Sequence, residues 1–252
     1  MVNLESVIEA IQCSEDLDEA FSHLNQVLQK YGYNNACYTL MTDHPSIDQK
    51  AFHGLATSYP EDWLNYYNEK EYQENDAVWI RLLDNTTPFF WQDAMKTREK
   101  DQTIDPNSLL LSKKIMNEAE EASMADGIGI SFINQAGEIS GIGISKERSE
   151  TSNNITDLAE LFLIGTVFHD KYMSSFTEVS LPKFTSREKD VLSWSVEGKT
   201  DWEIAKIIGI SYPTVRFHWN NIFKKMQVNN KILATSIAIR RKIIFPQRLG
   251  IP

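Results

Sequence analysis

The chain has 252 residues, of which 42% are hydrophobic and 24% charged, and its formal net charge is −10. This length predicts one large domain or two smaller ones, and the composition excludes a chain that is disordered throughout. Two cysteines, Cys13 and Cys37, are too few for a disulfide scaffold or a cysteine zinc site, and no uncharged apolar run is long enough to cross a membrane. The first residues include Glu5 and Glu9 instead of the basic start of a secretory signal, so the sequence predicts a soluble cytoplasmic protein.

Charge is divided unevenly along the chain. Residues 174–252 contain 13 Lys and Arg against 6 Asp and Glu, whereas residues 1–173 carry a net charge of −17. A basic third beside an acidic remainder indicates two domains, only one of which meets a polyanion.

The N-terminal part begins with helices and short strands. Apolar residues at helical spacing predict a helix over 4–31 that is broken near Ser14–Asp16. Strands are predicted over 34–41 and 50–54, and an aromatic helix is predicted over 61–67.

The same part continues with a loop, a helix, a hairpin and a last helix. The polar stretch 98–108 predicts an exposed loop, and the following helix has as candidate core positions Leu110, Ile115, Ala119 and Ala122. GIGIS occurs at 127–131 and again at 141–145, and its period of two predicts paired antiparallel strands before a helix over 155–173. Helices that cover a small mixed or antiparallel sheet define an α+β domain of the α/β/α type over residues 1–173.

The C-terminal part predicts a second, all-α domain of four short helices over 184–252, after a linker over 174–183. Capping boxes at Thr185–Glu188 and Thr200–Glu203 start its first two helices. Gly209 ends the second helix only a few residues before the third begins, which is the spacing of a helix-turn-helix.

The third of these helices has two different faces. Val215, Trp219 and Ile222 form an inward apolar stripe. The outward face offers hydrogen-bond donors, cations and an aromatic ring, which are the groups that read a DNA major groove. The candidate DNA-binding residues are Thr214, Arg216, Phe217, Asn220, Asn221 and Lys224 on this face, with Lys199 and Thr200 as candidates for phosphate at the start of the second helix.

An aromatic cluster with one carboxylate occupies residues 59–91. It includes Tyr59, Trp63, Tyr67, Asp76 and Trp91. The residues alone leave two interpretations open, an ordinary core edge or a pocket for a small molecule with apolar and amide groups.

An enzyme is not predicted. No histidine has the spacing of a metal motif, and no Gly-x-Ser-x-Gly nucleophile elbow occurs. We therefore expect no catalytic residue, no metal and no cofactor.

The chain resembles a known family in both parts. Residues 184–228 resemble the LuxR-type helix-turn-helix at Thr185, Arg187, Glu188, Leu192, Trp194, Gly198, Lys199, Thr200, Glu203, Ile204, Ala205, Thr214, Val215, His218 and Lys225. The N-terminal part resembles LuxR-type quorum-sensing receptors at Trp63, Tyr67, Asp76, Trp91 and Gly129, although Ala77 stands where that family has proline.

This resemblance implies a role for each candidate ligand-binding residue. The ligand of such receptors is an N-acyl-homoserine lactone, a small-molecule effector whose lactone carbonyl would accept from the Trp63 indole. Asp76 would accept from the ligand amide, Tyr59 would donate to the acyl carbonyl, and Tyr67 and Trp91 would wall the site. The resemblance also makes Ser131 a candidate near the amide or a 3-substituent.

The resemblance further implies a homodimer that binds an inverted repeat in double-stranded DNA, with Arg216, Phe217 and Asn220 facing the bases. No membrane partner is expected. The alternative is a LuxR-type regulator that senses a non-lactone molecule, such as a pyrone or fatty-acid-like compound, or that acts without a ligand.

Side chains alternate along the second GIGIS strand. Gly141 and Gly143 are therefore expected on one face of this strand, and Ile142 and Ile144 on the other.

Overall fold

The computed structural model describes residues 3–134, 136–147, 154–176 and 182–245. Within this part of the chain, residues 3–133 and 138–176 form one compact unit, and residues 182–245 belong to a second. No helix among the described residues is long and apolar enough to span a membrane.

The first unit combines seven helices of the described chain with a five-stranded sheet. In chain order the elements are α1 (Leu4–Cys13), α2 (Leu17–Lys30), β1 (Asn35–Leu40), β2 (Phe52–Thr57), α3 (Glu61–Glu69), a 3₁₀ turn (Tyr72–Glu74), α4 (Ala77–Asp84), β3 (Phe89–Phe90), α5 (Trp91–Lys100), α6 (Pro106–Glu121), β4 (Asp126–Ile133), β5 (Ile139–Lys146) and α7 (Ile155–Ser174). The predicted break between the first two helices is confirmed, because the Asp16 side chain caps α2 by accepting from the Glu19 amide.

The sheet has the strand order β2-β1-β5-β4-β3, and every pair is antiparallel. The repeated GIGIS segments are the central hairpin, in which Gly129 lies opposite Gly143 and Ser131 opposite Gly141. The predicted α+β fold and the predicted hairpin are therefore confirmed.

The two faces of the sheet are covered by different helices. One face packs against α1, α2 and α7 through fully buried side chains that include Ile128, Ile130, Ile142 and Ile144. The other face looks towards the aromatic cluster of α3, α4 and the start of α5, together with α6. Because side chains alternate along a strand, each strand contributes to both layers.

The predicted loop over 98–108 is wrong for most of its length. Helix α5 continues to Lys100, and α6 begins at Pro106, where the Asp105 side chain accepts from two backbone amides of the first turn. Asp and Pro were interpreted as turn residues, whereas here they form a helix start. Leu110 is also not a core residue, since it is 67% exposed, but the predicted core positions Ile115 and Ala119 are buried.

The second unit is the predicted four-helix bundle, with α8 (Ser186–Val196), α9 (Asp201–Ile208), α10 (Tyr212–Met226) and α11 (Lys231–Arg240). Both capping boxes are present, and Gly209 ends α9 with the left-handed backbone that glycine favours. Part of the predicted linker, residues 177–181, lies outside the described residues, and Ser174 is the last residue of α7.

Candidate functional site

A cavity lies between the sheet and the helices of the aromatic cluster. The space inside it that the centre of a water molecule can reach is about 70 Å³, within about 620 Å³ of non-atom space that includes open solvent. Its walls are formed by Cys37, Thr39, Met41, His53, Tyr59, Trp63, Tyr67, Asp76, Val78, Trp79, Leu82, Trp91, Ile115, Met116, Ala119, Met124, Gly141 and Gly143. A mostly apolar wall with a few polar groups is typical of a small-molecule site.

Five of the seven predicted ligand-binding residues are brought together here. Tyr59, Trp63, Tyr67, Asp76 and Trp91 all line the cavity. Trp63 and Tyr67 lie one turn apart on α3 and share its inner face, where their ring centroids are 6.0 Å apart.

Asp76 has two structural partners as well as its place in the wall. Its Oδ1 accepts from the Val78 amide at 2.8 Å, which makes it the N-cap of α4, and its Oδ2 accepts from the Tyr67 hydroxyl at 2.8 Å. Burial raises the pKa of Asp76, while these hydrogen bonds and the nearby Arg98 charge act in the opposite direction. The cavity therefore contains a carboxylate held in a fixed orientation.

Arg98 is fixed behind this carboxylate. Its guanidinium donates to Ser112 Oγ at 2.8 Å and to Ser108 Oγ at 2.6 Å. Ser112 Oγ in turn donates to the Asn75 carbonyl at 2.6 Å, next to Asp76. Arg98 and Ser108, which were expected in a loop, thus form a half-buried connection between α5 and α6.

Trp91 presents an unsatisfied donor. The side chain is 5% exposed, and its indole Nε1 has no hydrogen-bond partner within the described part of the chain. Its ring lies directly on β4, because a Cβ built on Gly127 would lie 2.6 Å from Trp91 Cε2. A buried donor without a partner costs free energy, so the Trp91 indole remains available to an acceptor that the described residues do not supply.

Two predicted ligand-binding residues lie outside the cavity wall. Ser131 is 3% exposed and donates through Oγ to the Leu82 carbonyl at 2.6 Å, which fixes α4 to β4. Gly129 is covered by Phe89, whose ring carbon Cζ lies 2.3 Å from the position of an added Cβ. Each faces the correct side of the sheet, but a neighbouring element already occupies the space above it.

Several wall residues were not among the candidate site residues. Cys37 and Thr39 lie on β1 and Met41 directly follows it, while the alternating residues Ala36, Tyr38 and Leu40 belong to the opposite core. A period-two interpretation of this strand, once the side facing the aromatic helix was known, would have found them. Burial raises the pKa of the Cys37 thiol to about 11, so it is a neutral wall group.

The glycine face of β5 looks into the cavity, as the alternation predicts. Gly141 and Gly143 line it, while Ile142 and Ile144 lie in the opposite core. A Cβ on Gly143 would lie 2.7 Å from the Tyr59 hydroxyl, so part of this space is already filled by Tyr59. A Cβ on Gly141 would meet the flexible Met41 side chain first, with Met41 Sδ at 3.0 Å.

The outward face of α10 is open, and its inward stripe is confirmed, since Val215, Trp219 and Ile222 are buried. Of the candidate DNA-binding residues, Arg216, Phe217, Asn220 and Lys224 are exposed, and Thr214 and Asn221 are half-buried.

Buried polar contacts fix the position of α10 in the bundle. The Trp219 indole donates to Asp201 Oδ1 at 3.0 Å, and Lys225 Nζ pairs with Glu188 Oε2 at 2.6 Å. Lys225, which the family pattern includes, therefore reaches back into the bundle and is not part of the open face.

The start of α9 is already occupied by an acidic side chain. The Thr200 hydroxyl and amide both donate to Glu203 Oε2, at 2.7 and 2.8 Å. Lys199 is exposed beside this carboxylate, which has a lowered pKa because of the same hydrogen bonds. A phosphate at this position would meet the Lys199 cation but also the Glu203 charge.

A small-molecule cavity in one unit and a helix-turn-helix in the other define the class of a ligand-responsive DNA-binding regulator. The autoinducer binding domain family matches residues 16–172, and the luxR family of bacterial regulatory proteins matches residues 182–238. The chain belongs to the LuxR family of quorum-sensing transcriptional regulators.

Relatives of known name support this assignment. The chain is 27% identical over 241 residues to the transcriptional activator ExpR of Dickeya dadantii, covering 89% of this chain and 90% of the relative. It is 28% identical over 242 residues to LuxR of Aliivibrio fischeri, covering 92% and 89%. These relatives are transcriptional activators, not enzymes.

A solved structure shares the fold. The crystal structure of Escherichia coli SdiA has a TM-score of 0.69 and 20% identity, covering 96% of this chain and 98% of that one. A second SdiA structure, in complex with octanoyl-rac-glycerol, has a TM-score of 0.67 and 22% identity, covering 94% and 93%.

Proposed function

We propose that residues 1–173 bind an N-acyl-homoserine lactone and that residues 184–252 then bind an inverted repeat in DNA as part of a homodimer. This regulator would act in the cytoplasm. Residues 174–183 would be the linker between its ligand-binding and DNA-binding domains. One observation carries the lactone proposal: the same apolar cavity is lined by a hydrogen-bond donor without a partner, the Trp91 indole, and by an acceptor in a fixed orientation, the Asp76 carboxylate.

The polar groups of the cavity are complementary to an acylated amide. Asp76 is an acceptor for the ligand N–H, and the indoles of Trp63 and Trp91 and the Tyr59 hydroxyl are donors for its carbonyl groups. None of the described residues that line the cavity is Lys or Arg. An anionic ligand, such as a fatty acid carboxylate, would therefore be buried beside Asp76 without a cation, which is unfavourable.

A neutral monoacylglycerol is the second candidate. SdiA, which shares this fold, has been solved with octanoyl-rac-glycerol. Glycerol hydroxyls donate hydrogen bonds as an amide N–H does, so Asp76 is compatible with both chemistries, whereas the lactone alone offers the two carbonyl groups that the donors require.

The experiment is a competition between candidate ligands for binding to the protein. The protein is expressed with a mixture of homoserine lactones of different chain length and 1-octanoyl-glycerol, and mass spectrometry identifies the small molecules released after gel filtration. Retention of an intact lactone supports the proposal, retention of the glyceride alone contradicts it, and lactone hydrolysis faster than in a protein-free control indicates an enzyme.

The DNA proposal depends on the open face of α10. Arg216 and Asn220 can donate to base edges and Phe217 can contact a thymine methyl group. In a symmetric dimer the two copies of this helix would lie about 34 Å apart, one turn of DNA. Sedimentation analysis with and without ligand tests the dimer, and a monomer that binds the inverted repeat equally well contradicts it.

A further inference from the structure

His53 is a polar wall residue to which the proposed contacts give no role. It lies on β2, and its ring packs against Tyr67 and Trp79, at 4.9 and 5.1 Å between centroids. Since the Tyr67 hydroxyl holds Asp76, His53 lies one ring away from the carboxylate proposed to bind the ligand amide.

The hydrogen bonds around His53 fix which ring nitrogen carries the proton. Nδ1 lies 3.0 Å from Asn68 Oδ1, and Gln73 Nε2 donates to the same oxygen at 3.2 Å. Because two groups converge on this amide oxygen, Nδ1 is a donor. The neutral ring then has its lone pair on Nε2.

Nε2 is the nitrogen left for a ligand. No hydrogen bond to it is made by any described residue, and the ring lines the cavity. Burial lowers the pKa of His53 below its usual value, so the ring is neutral at pH 7 and Nε2 accepts but does not donate. The neighbouring Thr39 hydroxyl differs from Nε2 in this respect, because it already accepts a hydrogen bond from the Gly54 amide at 3.4 Å.

We propose that His53 is a specificity-determining residue whose Nε2 accepts a hydrogen bond from a hydroxyl on the acyl chain of the signal, within a few carbons of the amide. The proposal rests on the proposed function, because it takes the Asp76 end of the cavity as the amide site. A carbonyl at the same carbon would place its lone pairs against that of Nε2, and an unsubstituted chain would leave Nε2 unpaired.

The first test compares three octanoyl-homoserine lactones of equal length, with a 3-hydroxyl, a 3-oxo group or no substituent. We expect wild type to bind the 3-hydroxy lactone about three- to tenfold more tightly than the other two, as a neutral hydrogen bond provides. His53→Phe keeps a ring against Tyr67 and Trp79 but removes both nitrogens, so this preference disappears. The unsubstituted lactone should bind this variant at least as tightly as it binds wild type, because no acceptor is left unpaired beside its chain.

His53→Gln is the rescue variant, because its amide oxygen can reach the position of Nε2 and restores part of the preference. His23→Phe, on the outer helix α2, is the matched control and keeps the wild-type preference. Equal binding of the three lactones by wild type, or an unchanged preference in His53→Phe, overturns the proposal.

A second measurement needs no ligand. Nitrogen-15 NMR of the imidazole distinguishes the two neutral tautomers in the free protein, and we expect His53 with its proton on Nδ1 at pH 7. A proton on Nε2 overturns the proposal.

These results also separate this inference from the proposed function. If wild type binds no lactone, the lactone proposal fails, and His53 is then tested with 1-(3-hydroxyoctanoyl)-glycerol against 1-octanoyl-glycerol. A preference for the hydroxylated acyl chain that His53→Phe removes supports the acceptor role, and its persistence in that variant overturns it.

Discussion

The two faces of the sheet are built from the same strands but differ in how the space above them is filled. On the face covered by α1, α2 and α7, isoleucines fill the space and leave no room for a guest. On the other face, Gly141 and Gly143 replace bulky side chains, and a buried indole lacks a partner. One face is thus filled by the protein's own side chains, whereas the other is the proposed ligand-binding face.

The largest expected effect is on the filled face. Phe168 is fully buried and packs edge-on against Tyr38, with 5.5 Å between ring centroids. Phe168→Ala should lower the free energy of unfolding by about 3–5 kcal/mol, because a large cavity remains that no ligand fills. Urea denaturation measures it, and Leu163→Ala, exposed on the same helix, is the control, with less than about 0.5 kcal/mol. Similar losses in both variants would contradict the assignment of this face as the closed core.

The filled face should also make the protein sensitive to acid. His169 stacks on Phe132 and hydrogen bonds to Tyr38, and burial lowers its pKa from 6.5 to about 4. Between these values the unfolded chain takes up a proton that the folded protein does not, so stability falls as pH decreases. We expect a loss of about 2–3 kcal/mol between pH 7 and pH 4 from this residue. Urea denaturation at several pH values measures the free energy of unfolding, which should fall less steeply with decreasing pH in His169→Gln than in wild type. The same pH dependence in both proteins would refute the assignment.

The incomplete face should respond in affinity more than in stability. Asp76→Asn keeps a side chain that can cap α4 but replaces the charged acceptor, so lactone affinity should fall by about 1.5–3 kcal/mol. Calorimetry measures the affinity, and Asp16→Asn, which alters the cap of α2 outside the cavity, should leave it unchanged. An unchanged affinity in Asp76→Asn means that the carboxylate serves only the helix.

The exposed face of α10 is the surface proposed to bind DNA. Arg216→Ala should weaken specific DNA binding by about 1–3 kcal/mol, since a two-point contact to a base is lost. Lys224→Ala is the comparison, because loss of a phosphate contact weakens all sequences evenly and reduces the salt dependence. Mobility shifts on specific and random duplexes separate the two, and equal losses on both duplexes for Arg216→Ala would exclude a base-reading role.

The smallest effect tests the direction of the acyl chain. Gly143 faces the Tyr59 hydroxyl, whereas Gly141 faces the apolar side chains of Met41 and Leu82, so we expect the end of the chain near Gly141. Affinity should rise by about 0.8 kcal/mol for each added CH₂ until the cavity is filled. Gly141→Leu should shift the optimum to shorter chains, and Gly143→Ala should weaken all chain lengths alike. Titration with four-, eight- and twelve-carbon lactones checks this, and an optimum unmoved in folded Gly141→Leu refutes it.

The sequence predicted the elements whose local pattern is strong. The hairpin, the capped helices of the second unit and the stripe of α10 all follow from spacing that extends over several turns or strand residues. Helices α4 and α5 were not predicted, because α4 has only eight residues and α5 is mostly polar, and Asp105 with Pro106 has the same composition as a turn.

The cavity wall was predictable only where the family resemblance assigns a residue. Trp63, Asp76 and Trp91 were candidates for that reason, because the residue types alone also fitted an ordinary core edge. His53, Met41 and Met116 were not candidates, because they become neighbours only when the strands, α3 and α6 pack together. Ser131 is the converse case. It lies on the correct face, yet only the structure reveals that the Leu82 carbonyl already takes its hydroxyl.

Asp76 caps a helix with one oxygen and holds a tyrosine with the other, at the edge of the cavity. Under the proposed function, a substitution at this position acts on two properties at once, the folding of α4 and the recognition of the signal. Only replacements that still cap the helix, such as Asn, change recognition without also changing the fold. Wall residues without such a double role can change recognition alone.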